Sequence, residues 1–130
     1  PMSSITEITE ENGGWSLKTD SGASITAMKD GTVVYANDNG WNYGYGRLVL
    51  VQQEDCYLLY AHCSQVAVKT GDTVKQGDKL GEAGSTGHTD NSIQLGVYRF
   101  PLEELSPVTD ADGTVTGFTV NGEEPLIGTE

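Results

Sequence analysis

Residues 84–98 read GSTGHTDNSIQLGVY: a glycine-rich turn carries His88 and Asp90, then enters a strand whose alternate residues are Ser92, Gln94 and Gly96. An imidazole and a carboxylate at this spacing begin a metal site or an acid–base pair, and either needs further groups from elsewhere in the chain. The other histidine, His62, lies in YAHC (60–63). On a regular strand it shares a face with Cys56, Leu58 and Tyr60. A lone strand histidine is more often a structural hydrogen-bond partner than a ligand. WNYGYG (41–46) alternates Trp41, Tyr43 and Tyr45 with small or polar residues. As a strand, it presents three rings on one face, suited to stacking on a sugar or gripping a peptide; packing beneath a loop is the competing reading. TDADGTVTG (109–117) sets Asp110 and Asp112 ahead of Gly113, as a calcium loop does, but the twelfth position from Asp110 is Asn121, not the required glutamate, so the stretch reads as a plain turn.

The elements that must position these groups are short strands. Seventeen glycines against four prolines imply many turns. Strands are expected at 24–27, 32–36, 47–52, 56–62 and 92–99, and a hairpin over 115–120 and beyond, turning at Asn121-Gly122. Gly71-Asp72 and Gly77-Asp78 set two turns six residues apart. No stretch keeps a 3.6-residue period, so the chain is expected to be all-β and a single domain. Residues 1–11 read as a polar lead-in and residues 101–130 as a C-terminal extension holding the hairpin.

The formal charge is −12. That excludes a basic footprint for nucleic acid and disfavours an anionic membrane surface. It serves solubility and favours a basic partner. No apolar run is long enough to span a membrane. Cys56 and Cys63 face opposite sides of one expected strand, which makes a disulfide between them sterically poor, so both are read as free, buried thiols.

Ala27-Met28-Lys29 resembles the attachment lysine of biotin carrier domains, which sits at an exposed hairpin tip. Asp30-Gly31 follows at once here, so Lys29 reads more simply as the start of a turn, with a carrier role as an alternative.

DGTVVYA, GYGRLVLV, YAHCS and VKTGDTVKQGDKLGEAGSTG, followed by an alternating strand, occur in the order found in lysostaphin-type (LytM-like) zinc endopeptidases. The resemblance covers about residues 12–100 and is most specific from Tyr60 to Gly87. It implies a two-layer antiparallel β-sandwich or flattened barrel with a groove across one sheet, and an ancestry of cutting peptide cross-bridges in bacterial cell walls. In that family the zinc is held by His and Asp of an H-x-G-x-D stretch and by the second His of H-x-H. Two further histidines, from Y-x-H and from the first position of H-x-H, handle charge and protons.

Carried over one position at a time, the resemblance sets Asn12 and Ser16 where H-x-G-x-D has its ligands, and Ser92 and Gln94 where H-x-H has its histidines. Only Tyr60-x-His62 keeps the pattern. A neutral hydroxyl or carboxamide is a poor substitute for imidazole or carboxylate at zinc. The resemblance therefore implies a non-catalytic domain with no metal cofactor, whose groove floor is lined by Asn12, Ser16, His62, Ser92 and Gln94, with Trp41, Tyr43 and Tyr45 as one wall. Degenerate relatives of this family serve as activators of wall hydrolases or join a partner protein. The implied partner is an envelope protein or peptidoglycan, and the implied location is extracytoplasmic, with an anchor or signal expected outside these residues. The alternative is a peptidase with a metal site rebuilt from His62, His88 and Asp90.

Overall fold

The computed structural model describes residues 5–11, 14–19, 23–87, 89, 93–122 and 124–128. In chain order the strands are β1 (Ile5–Glu11), β2 (Gly14–Thr19), β3 (Ser24–Thr26), β4 (Gly31–Asn37), β5 (Arg47–Gln52) and β6 (Cys56–Val66). They continue as β7 (Thr73–Val74), β8 (Lys79–Ala83), β9 (Gln94–Pro101), β10 (Leu105–Thr109), β11 (Val115–Val120) and β12 (Glu124–Gly128). Among the described residues these form a nine-stranded antiparallel sheet in the order β1-β2-β9-β6-β5-β4-β7, with β8 paired to both β3 and β6, and a separate sheet β10-β11-β12. This is the all-β architecture the sequence implied. Residues 5–11, read as a lead-in, form an edge strand on β2.

The central strands are buried on both sides, which is why they read as continuous apolar runs. Val49 and Val51 of β5, with Leu58 and Tyr60 of β6, enter one core; β3, β7 and β8 close it with Ile25, Val74 and Leu80. The alternate residues Leu48, Leu50, Tyr57, Leu59 and Ala61 enter a second core, closed by Leu105, Phe118, Leu126 and Ile127 of the C-terminal sheet. Period-two alternation sends successive side chains to opposite faces, so a run such as RLVLV needs an apolar layer on each side. The C-terminal sheet supplies the second layer; it covers a face of the main sheet as well as forming the hairpin. β11 and β12 meet across Asn121 and Gly122, whose φ values are 55° and 74°. The Asp110 carboxylate accepts from the backbone N–H groups of Asp112 and Thr114, closing a turn.

Two turns are built alike. In Lys69–Asp72 and Lys75–Asp78 the aspartate Oδ2 accepts from the backbone N–H of the lysine three residues earlier, at 2.9 Å in both. Gly71 and Gly77 take φ of 101° and 92°, which side chains bearing Cβ rarely adopt. Cys56 and Cys63 are both free and buried.

Candidate functional site at the bulged end of β6

The sheet brings Ser16, Gln94, Gly96 and His62 to one region. Ser16 lies opposite Gly96 across β2 and β9, and Gly96 lies opposite Ala61 across β9 and β6. Leu17, Leu95 and Val97 point into the first core, so their neighbours Ser16, Gln94 and Gly96 belong to the other face. Ser16 Oγ donates to Gln94 Oε1 at 3.0 Å. Both are buried, at 8% and 6% exposure.

His62 does not share the face of Leu58 and Tyr60, contrary to regular alternation. Arg47 pairs with Cys63 and Val49 with Tyr60, so β6 carries one extra residue there. His62 absorbs it with φ of 66°, a conformation uncommon outside glycine. The bulge returns Cys63 to the first core and turns His62 to the groove face, where a Cβ added at Gly96 would meet His62 Cδ2 at 3.0 Å. Glycine at position 96 thus leaves room for the imidazole.

Two neighbours hold His62. Its backbone N–H donates to Tyr45 O at 2.8 Å, and Nδ1 lies 2.8 Å from Thr86 O. A carbonyl only accepts, so Nδ1 carries the proton in this contact, and in the neutral ring Nε2 is the acceptor. Thr86 also joins the flanking strands: its Oγ1 accepts from Arg47 N at 3.0 Å and donates to Cys63 O at 2.6 Å. Tyr98 fills the face beside this cluster. Its ring stands edge-on to Tyr45 at 5.1 Å, and a Cβ at Gly14 would collide with it. Thr86, Gly96 and Tyr98 were not picked out from sequence. Gly96 carried a signal, since a glycine inside a strand marks close approach by another group; Thr86 carried none.

Trp41, Tyr43 and Tyr45 are not on a strand. They sit on a 3₁₀ turn at Asn42–Gly44 in which Asn42 and Tyr43 have φ of 48° and 54°. The rings diverge: Trp41 is 54% exposed and Tyr43 is also exposed, whereas Tyr45 packs inward and burial raises its hydroxyl pKa. Tyr60 is fully buried and accepts from Met28 N at 3.0 Å. Burial pushes its hydroxyl pKa up, against the pull of that bond. Burial, aided by Asp38, also pushes the Cys63 thiol up to about 12. Lys29 occupies a bend between β3 and β4, which pair with β8 and with β5 and β7 and not with each other, so it is not at the tip of a hairpin. Asn12, His88, Asp90 and Ser92 lie outside the described residues. Among the described residues no three His, Cys, Asp or Glu side chains cluster as a metal site.

The murein hydrolase activator NlpD of Escherichia coli K12 is 33% identical over 98 residues, covering 75% of this chain and 25% of NlpD. The cell division protein DipM of Caulobacter vibrioides is 35% identical over 79 residues, covering 60% of this chain and 13% of DipM. The chain thus spans a quarter or less of these curated relatives. The catalytic domain of the antimicrobial peptidase lysostaphin from Staphylococcus simulans superposes with a TM-score of 0.64 at 27% identity, covering 81% of this chain and 74% of that domain. The model of peptidase family M23 matches residues 10–104, and the chain belongs to that family.

Proposed function

We propose that this is a non-catalytic M23 domain that serves as a binding module for a protein partner at the bacterial cell envelope. The observation that carries this reading is the buried Ser16–Gln94 hydrogen bond. By resemblance these two positions hold an aspartate and a histidine in the zinc enzymes. Here a hydroxyl and a carboxamide, both neutral, satisfy each other. The donor set does not fit zinc, which needs imidazole, thiolate or carboxylate donors. His62 adds one imidazole whose Nδ1 already faces Thr86 O.

What remains is a polar floor, and the turn that carries the exposed Trp41 is tied to it where Tyr45 O accepts from the His62 N–H. Such a floor holds an extended segment through hydrogen bonds, while an exposed ring adds apolar area. The names of NlpD, a murein hydrolase activator, and DipM, a cell division protein, support an envelope location and a partner among wall enzymes. Peptidoglycan itself is the second candidate occupant.

Two measurements test this reading together. A photo-cross-linker at position 41 is expected to give a discrete protein adduct in the native host. Purified domain incubated with peptidoglycan and zinc is expected to release no soluble fragments. Release that disappears in His62→Ala would replace this reading with that of a peptidase using a rebuilt metal site.

A further inference from the structure

Away from the groove, the first-core side of the main sheet opens into a cavity of about 220 Å³, walled by the β3–β4 bend, the β5–β6 turn and the strands beside it. Drug-sized ligands occupy roughly 300–1,000 Å³, so this cavity suits a smaller molecule. Its charge runs against the rest of the chain. Of seven Lys and Arg in a chain of net −12, two, Lys29 and Arg99, line this one cavity, with Asp55 as the single acid.

The wall also contains an unsatisfied group. Gln53 is 7% exposed. Its backbone N–H donates to Cys56 O at 2.8 Å and its Nε2 to Cys56 Sγ at 3.4 Å. Its Oε1 is shut off from solvent and has no hydrogen-bond partner among the described residues. A reversed amide would strand a donor instead of an acceptor, so one buried amide atom lacks a partner either way. Native proteins leave few such atoms, and each calls for a physical reason.

We infer that this cavity binds a small molecule carrying a carboxylate beside an N–H donor, the chemistry of an α-amino acid or of the last residue of a short peptide. The carboxylate pairs with Arg99 and Lys29, since guanidinium forks match carboxylates. The N–H donates to Gln53 Oε1, and an amino acid's ammonium also faces Asp55. The side chain rests on Met28 and Leu58. Lys29 and Arg99 are exposed, so the rim adjusts without disturbing the core; contact with Oε1, which is closed to solvent, requires the Gln53 carboxamide to turn toward the cavity on binding. The Ala27-Met28-Lys29 stretch thus gains a role unrelated to a carried group. This site is independent of the groove.

The test is a titration of the ¹⁵N-labelled chain with L-leucine and L-alanyl-L-leucine, against leucinamide and inorganic phosphate as controls. The expected result is saturable shifts at Met28, Gln53 and Cys56 with the leucine or the dipeptide, and none with leucinamide. The leucine arm separates a free amino acid from a peptide end. Gln53→Met, which keeps the packing, should weaken binding about tenfold, and Arg99→Met by at least that much. Unchanged shifts elsewhere report that each variant is folded. No saturable shift with either carboxylate probe overturns the inference. So does phosphate binding as tightly as leucine, which would mark a plain basic patch.

Discussion

Phe118→Ala is expected to lower the unfolding free energy by about 3–5 kcal/mol, the usual cost of emptying a buried aromatic site. Phe118 is almost fully buried and stands edge-on to Tyr35 and Tyr57, with ring centroids 6.5 and 5.9 Å away. It comes from β11 and the two tyrosines from β4 and β6, so its ring joins the C-terminal sheet to the main one. Total stabilities of small domains are about 5–15 kcal/mol, so this loss is a large share. Urea unfolding followed by fluorescence is expected to show either a lower midpoint or a separate early step as the C-terminal sheet undocks. A change within about 0.5 kcal/mol, the range of surface substitutions, would contradict this docking.

Asn42→Ala is expected to cost about 2–4 kcal/mol, from two orphaned backbone groups and a left-handed backbone conformation. Asn42 is buried, with φ of 48°, donates to Gly46 O at 2.8 Å and accepts from Gly128 N at 3.0 Å through Oδ1. The first bond closes the aromatic turn on itself, and the second ties it to β12. Asn42→Gly separates the two causes: glycine adopts the left-handed conformation freely but still lacks both bonds, so its urea midpoint should fall between those of wild type and Asn42→Ala. Equal midpoints for Asn42→Ala and wild type would mean that Asn42 does not link the turn to the C-terminal sheet.

What the sequence disclosed and what it hid follow from how local each signal is. The two K-x-G-D turns are complete within four residues, and their glycines and aspartates announce them. The runs at 47–52 and 56–62 announce strands buried on both faces, but period-two alternation does not say which layer covers each face. The docking of β10, β11 and β12 on the second face therefore stayed hidden. Residues 5–11, ITEITEE, repeat every three positions, and their pairing with β2 left no period-two signal. WNYGYG mimics strand alternation, yet Gly44 and Gly46 serve positive φ, at 99° and 72°, in a tight turn. The bulge at His62 depends on Tyr45 and Thr86, which come from two distant loops. Ser16 and Gln94 were legible only through the family resemblance, and their hydrogen bond spans 78 positions of the chain.

In the proposed reading Ser16, Gln94 and His62 form a polar floor that does not hold zinc. Calorimetric titration of the metal-stripped domain with zinc tests it most directly. No tight, stoichiometric heat is expected, and the same weak trace is expected for His62→Ala. Stoichiometric tight binding that is lost in His62→Ala or His88→Ala would contradict it, and would make metal-dependent hydrolysis the leading function of the domain.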